Sequence, residues 1–146
     1  GTRPRAVKQR QFISTYIYGA VCPSLKLAVG LILPKANSEC MILHIDELSK
    51  AVPKGRHALV IVDGAAWHGS KHNLDNVTLI KLPPYSPELN PVEQIWHWLR
   101  QRKLANRCFK DYEEIVDASC EAWNSFSNKP DLVQSMCTRD WATINA

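Results

Sequence analysis

The first part of the chain has the alternation of side chains that is typical of paired β-strands. Residues 11–20 carry Phe12, Tyr16 and Tyr18 at alternate positions, and residues 26–33 form a second apolar run after the turn at residues 22–24. Two short runs rich in aromatic and β-branched residues, separated by a turn that contains proline, predict a β-hairpin.

A helical period replaces this alternation after the hairpin. Met41, Ile45, Leu48 and Val52 recur three or four positions apart, Asn37 can cap the start of the helix, and the Pro-Lys-Gly segment at residues 53–55 would end it. Two short apolar runs follow at residues 57–62 and 77–82. Their unbroken apolar character predicts two neighbouring strands that are buried on both faces.

The second half of the chain predicts helices. From residue 91 to residue 99 the apolar positions form one stripe, made of Val92, Ile95, Trp96 and Leu99. A longer helix begins at Asp111, which can form a cap with Glu114, and residues 131–141 add a short last helix. Hairpin, helix, strand, helix or loop, strand and then helices, in this order, indicate an α/β fold.

Composition indicates the size, the possible partners and the cellular location of the protein, but it does not decide the function. A chain of 146 residues with 45% hydrophobic residues has the size and core of one domain, and its net charge of +4 is compatible with a polyanionic partner. The five cysteines lack the paired spacing of metal or disulfide frameworks, which predicts reduced, buried thiols. Because no apolar run approaches the roughly 20 residues of a membrane span, we expect a cytoplasmic protein without a membrane partner.

Asp63 is the first acidic residue at a position suited to chemistry. It follows the apolar run 57–62, at the predicted carboxyl end of a strand, where α/β sheets place their ligands. The Asp63-Gly64 pair is also the usual signal of a turn that closes a strand. The residues alone favour that simpler role.

Glu93 is the second candidate. The prolines at positions 83, 84, 87 and 91 stiffen the segment before it and place it in the first turn of a helix, opposite the buried stripe and on one face with His97 and Arg100. Its alternative role is a capping box with Asn90, which needs no metal and would leave one carboxylate oxygen for a ligand. Glu88 is a nearby rival for the chemical role.

The segments around the two acids resemble one family. Residues 62–68, with the sequence VDGAAWH, and residues 85–93, with the sequence YSPELNPVE, resemble the second-acid and third-acid segments of mariner-like DDE transposases of bacterial insertion sequences. A softer resemblance extends over nearly the whole chain. It implies a ribonuclease-H-like fold, a mixed sheet flanked by helices, and it makes Asp63 and Glu93 catalytic and metal-binding, which reverses the preference for a simple turn. The interval between the two acids is slightly short for the family and predicts a trimmed helix after His68.

The first catalytic aspartate of that family has no counterpart in the chain. The family places it on a strand before the segment that resembles residues 1–4, whereas Glu39 is the first acidic residue here. We therefore expect residues 1–146 to be a single truncated catalytic domain without its first central strand and without the N-terminal helix-turn-helix region. Two strands would then lack a partner, and a strand of a partner chain or an abnormal pairing would fill the gap.

Other polar residues can act beside the acids. We expect His68 to contact phosphate or position a carboxylate, and Asn90 to support Glu93. His68 and His72 lie four residues apart and can in principle face a zinc ion, but no third ligand with suitable spacing follows. Asp46 and Glu47 lie in a predicted helix and are expected to be solvated.

Basic residues form two groups. Solvated faces explain most such runs, whereas on a DNA-cutting enzyme these cations would neutralise backbone phosphates. The first group is Arg3, Arg5, Lys8 and Arg10, and the second is Arg100, Arg102, Lys103 and Arg107.

The resemblance implies nicking of DNA at transposon ends followed by strand transfer, with two Mg²⁺ or Mn²⁺ ions. The expected partners are double-stranded DNA, in the bacterial cytoplasm at the nucleoid, and further copies of the chain in a homo-oligomer. With two of the three acids, the chain alone is expected to be inactive. The alternative is a non-catalytic DNA-binding or self-associating remnant of a transposase, and a weaker one is another nuclease on the same fold.

Overall fold

The computed structural model describes residues 15–63, 74–83, 89–105 and 107–139. Strands β1 (Tyr16–Cys22) and β2 (Leu27–Leu33) form an antiparallel hairpin, with Tyr16 opposite Leu33 and Cys22 opposite Leu27. A 3₁₀ turn at Pro23–Leu25 and a left-handed residue, Lys26 with φ of 55°, connect them. The predicted hairpin is confirmed, and its residues 11–14 lie outside the described ranges.

Helix α1 (Ser38–Ala51) begins and ends as predicted. The Asn37 side chain accepts a hydrogen bond of 2.9 Å from the Cys40 amide and caps the first turn. After the helix, Pro53 cannot continue the hydrogen-bonding pattern, and Gly55 takes a φ of +80° that favours glycine. Met41, Ile45 and Leu48 are buried on its inner face.

Strands β3 (Ala58–Val62) and β4 (Val77–Lys81) pair in parallel, with Ala58 opposite Val77 and Val62 opposite Lys81. They form a two-stranded sheet of their own, separate from the hairpin. The described strands therefore make two small sheets where one mixed sheet was expected, because no described strand pairs with both. The mixture of helices and short sheets is that of an α/β protein.

Three helices follow the second sheet. Helix α2 (Val92–Leu99) continues directly into a π-helical segment, Arg100–Leu104, hereafter the π segment. Helix α3 (Tyr112–Ser127) begins at Asp111, whose side chain accepts a 2.9 Å hydrogen bond from the Glu114 amide. Helix α4 (Pro130–Cys137) is the predicted short last helix. None of the described helices is long and apolar enough to cross a membrane.

The hairpin lies between two hydrophobic cores. One face of it packs with α1 and the parallel sheet in the first core, whose buried residues include Tyr18, Met41, Ile45, Leu48, Val62 and Val77. The other face packs against α2, α3 and α4 in the second core, around Ile95, Leu99, Ala122, Trp123, Phe126 and Val133. Alternation along β1 explains this arrangement, since successive side chains of a strand point to opposite faces.

The parallel sheet is covered on one face only within the described residues. Val62 and Val77 are buried in the first core, but Leu59 on β3 and Ile80 on β4 are 58% and 44% exposed. The expectation that both strands are buried on both faces is wrong in the described part of the chain. The physical reason is that α2, α3 and α4 pack against the hairpin and not against this sheet.

A pair of glycines fixes the contact between the hairpin and α3. Gly19 and Gly30 are register partners on β1 and β2, and both lie under the ring of Trp123. A Cβ atom at Gly19 would lie 2.6 Å from Trp123, closer than real contacts allow, and one at Gly30 would lie closer still. The indole therefore packs directly on the backbone of the hairpin.

Gly30→Ala is expected to destabilise the fold by about 1–3 kcal/mol, because the added methyl group overpacks the contact with Trp123. The free energy of unfolding in urea measures the loss. The double variant Gly30→Ala, Trp123→Leu removes the obstructing ring, so its cost should be smaller than the sum of the two single changes. A Gly30→Ala protein as stable as the wild type would contradict the close contact.

The described cysteines are all unpaired thiols, and they differ in exposure. Cys40 and Cys137 are buried, Cys22 and Cys120 are half-buried, and Cys108 is exposed. The prediction of buried thiols thus holds for two of them and is wrong for Cys108, which lies in the segment that connects the π segment to α3. Burial raises the pKa of the Cys137 thiol to about 11.

Since the thiolate is the reactive form, Cys108 should be alkylated by iodoacetamide at pH 8 much faster than Cys137 in the folded protein. Peptide mass spectrometry over a time course gives both rates, and the same reaction in urea provides the control in which the difference disappears. Equal rates in the folded protein would contradict the burial of Cys137.

Candidate functional site

Asp63 lies where the sequence predicts it, directly after the last residue of β3. Val62 is 8% exposed and anchored in the first core, and its carbonyl accepts a 2.7 Å hydrogen bond from the Leu82 amide. Asp63 itself is exposed. Because β3 and β4 are parallel, the carboxylate stands at the carboxyl edge of the sheet, the edge at which α/β folds bind ligands.

Glu93 is presented by a firmly built helix start. The Asn90 side chain accepts a 3.1 Å hydrogen bond from the Val92 amide, and the Pro91 carbonyl accepts one of 3.1 Å from Gln94. Pro91 has helical backbone angles, φ of −66° and ψ of −12°, and so acts as the first helical residue. The predicted cap by Asn90 is present.

The other half of the capping box, a hydrogen bond from the Asn90 amide to the Glu93 side chain, is absent from the described residues. Within the described ranges, the Glu93 carboxylate makes no hydrogen bond to the Asn90 amide, and the side chain is exposed. Asn90 bonds to the amide of Val92 two residues ahead, a tighter turn than the reciprocal box requires. The reciprocal bond that would have occupied one Glu93 oxygen is therefore absent here.

Glu93 opens a groove along the exposed side of α2. The groove has a volume of about 470 Å³ and is lined by Glu93, Gln94, His97, Trp98, Gln101, Arg102 and Met136. One wall is the Trp98 ring, which is held by the Phe126 ring at 5.8 Å and by the Lys129 ammonium at 5.5 Å. Asp63 does not line the groove. The ionisable side chains that line it are one carboxylate, one imidazole and one guanidinium.

The residues that line the groove lie four apart on the helix. Glu93, His97 and Gln101 form one series, and Gln94, Trp98 and Arg102 form a second series beside it. Arg100, which was predicted on the face of Glu93 and His97, is exposed and does not line the groove.

The basic residues of the second group are all exposed. They are Arg100, Arg102, Lys103 and Arg107. The described part of the chain forms its ion pairs elsewhere, between Lys26 and Asp131 and between Lys50 and Glu47, so no described carboxylate neutralises this group. Arg107 lies over the Phe109 ring at 5.4 Å. The positions suit contact with an anionic partner.

Carboxylate oxygens are the ligands that Mg²⁺ and Mn²⁺ prefer, so Asp63 and Glu93 fit these ions by type. These two carboxylates are too few to complete a metal site by themselves. Among the residues that the structure describes, no group of three or more metal-binding side chains comes together. A bound divalent ion would need ligands beyond the described set.

Several predicted residues lie outside the described ranges, namely His68, His72, Glu88 and the basic group from Arg3 to Arg10. Sequence reasoning in turn missed the groove residues Gln94, Gln101 and Met136. Polar glutamines at helical spacing from Glu93 carry only a weak signal, and Met136 reaches the groove through the packing of α4 against α2. Asp46 and Glu47, expected to be solvated, are half-buried on α1.

Comparison with known proteins finds a family and a relative that match most of the chain. A family described as DDE superfamily endonuclease matches residues 1–116. A relative from Sinorhizobium fredii (strain NBRC 101917 / NGR234), the uncharacterized protein y4pE/y4sA, is 46% identical over 129 residues, which are 87% of this chain and 96% of the relative. No solved structure matches the chain.

Removing the Asn90 cap should destabilise the helix that carries Glu93. We expect Asn90→Ala to lower the free energy of unfolding by about 1 kcal/mol, as loss of a side-chain cap usually does. Asp111→Ala at the start of α3 is the matched control and should cost a similar amount. An Asn90→Ala protein that unfolds at the same urea concentration as the wild type would show that the cap contributes nothing.

Proposed function

The chain belongs to the DDE superfamily of endonucleases, and from this premise we propose that it is a catalytic domain of a cut-and-paste DNA transposase. Its substrates would be the phosphodiesters at transposon ends and in target DNA. The observation that carries the proposal is the placement of Asp63 at the carboxyl edge of β3 and of Glu93 at the capped start of α2. Both carboxylates are exposed on elements anchored in a core.

In this proposal Asp63 and Glu93 are ligands of Mg²⁺ or Mn²⁺. When bound, a pair of such ions would supply activation of the attacking oxygen and stabilisation of the leaving oxygen in phosphodiester cleavage. The chain itself contributes the fixed positions of these two carboxylates. Val62 is fixed in the first core and Asn90 caps α2, so neither carboxylate depends on a loosely held backbone.

The exposed basic group would hold the DNA. Cations at Arg100, Arg102, Lys103 and Arg107 can neutralise phosphates without reading sequence. We place His68 beside Asp63, where it would position the carboxylate or contact phosphate, on the strength of the sequence alone. Further copies of the chain would be needed to bring two transposon ends together.

A third acid remains to be supplied. The resemblance implies an aspartate on a central strand of the sheet, whose absence would leave two neighbouring strands without a partner. In the described part of the chain, β1 pairs only with β2 and β3 only with β4, while both pairs contribute to the first core. This arrangement supports a joining strand that carries the third carboxylate.

The test is nicking of supercoiled plasmid in Mg²⁺ or Mn²⁺. We expect the chain alone to nick no faster than its Asp63→Asn variant, because two acids hold the metal pair incompletely. A protein extended at its N-terminus by a strand that carries an aspartate should nick, and either Asp63→Asn or Glu93→Gln should slow it at least about 100-fold. Metal-dependent nicking by the chain alone, lost in Asp63→Asn, would contradict the need for a third acid.

The same experiment separates the alternatives. If the extended protein binds DNA but does not nick it, the chain is a non-catalytic remnant of a transposase. If it nicks but does not join the freed 3′ end to target DNA, the chain is another kind of nuclease on this fold. The exposed basic group is compatible with a non-catalytic remnant, but it does not favour that hypothesis over an active enzyme.

A further inference from the structure

The groove on α2 combines a cation with an aromatic wall, and both suit contact with a nucleic acid strand. Glu93 stands at one end and Arg102 at the other, with His97 between them and the Trp98 ring and Met136 as apolar wall. Nine residues of helix separate Glu93 from Arg102, a rise of roughly 13 Å. This length exceeds the ~3.4 Å of helix axis between neighbouring phosphates of one DNA strand, so the groove can contact more than one phosphate.

Arg102 differs from the other cations nearby. Arg100 and Lys103 belong to the same π segment and are equally exposed, but only Arg102 lines the groove. Its guanidinium has no described carboxylate partner and offers the forked donors that suit phosphate oxygens. A π-helix is also rare in proteins and is frequent at functional sites.

We propose that this groove holds the DNA strand to be cut, and that Arg102 is a positioning residue which binds a phosphate of that strand other than the one at Glu93. The inference rests on the proposed function and deepens it. The Trp98 ring, held by Phe126 and Lys129, gives the sugar backbone a fixed apolar wall.

The test uses fluorescence anisotropy with the purified chain and a labelled duplex of about 30 base pairs, in EDTA, over a series of KCl concentrations. Losing one phosphate contact should lower the slope of log K against log salt by about one. At about 100 mM salt this corresponds to a roughly eightfold weaker complex for Arg102→Gln. Arg100→Gln and Lys103→Gln should each weaken binding by less than about twofold.

Two further variants test where the DNA lies on the chain. Without metal the Glu93 carboxylate repels a phosphate in the groove, so Glu93→Gln should tighten binding in EDTA. Lys54→Gln, an equal loss of charge in the exposed turn after α1, is the matched control and should leave the slope unchanged. Thermal unfolding of each variant verifies that it is folded.

A repeat of the titration with Ca²⁺ in place of EDTA separates this inference from the proposed function. If Ca²⁺ strengthens binding through Asp63 and Glu93 but Arg102→Gln behaves like Lys103→Gln, the groove inference is overturned and the proposed function stands. If the Arg102 and Glu93 effects occur but Ca²⁺ has none, the groove stands and the metal role fails. A chain that binds no DNA even at low salt overturns both.

Discussion

The packing of Trp123 on the paired glycines of the hairpin is the contact on which the described structure depends. It joins the hairpin to α3 without an intervening side chain, since any Cβ at Gly19 or Gly30 would collide with the ring. Trp123 also contacts the Trp96 ring, 6.2 Å away between centroids, and the Phe126 ring at 5.6 Å. Helix α2, which carries Glu93, is thereby fixed against the hairpin.

Most of the local structure was predictable because it follows from short-range chemistry. The cap at Asn37, the cap at Asp111 and the turn at Pro23 each need only neighbouring residues, and the stripe around Ile95 and Leu99 needs only the helical period. Asn90 was predictable for the same reason. The acidic candidates, Asp63 and Glu93, came from strand and helix boundaries together with the family resemblance of their segments.

The remainder depends on packing between distant segments, which local patterns do not encode. Periodicity cannot tell that Leu59 and Ile80 face away from every described helix, because their runs are as apolar as those of a buried strand. Periodicity also does not predict the π segment, because the residues of this segment are ordinary helix formers. Met136 joins the groove through the packing of α4 against α2, so this part of the lining could not be inferred from spacing.

Whether Asp63 and Glu93 serve one cation is the central question, and Mn²⁺ titration followed by electron paramagnetic resonance answers it most directly, in the presence of duplex DNA. If the two carboxylates share a site, Asp63→Asn and Glu93→Gln should each remove the same bound Mn²⁺, and the double variant should lose no more than either single one. If each single variant keeps part of the bound Mn²⁺ and the losses add in the double variant, the two acids hold separate ions and the account is contradicted.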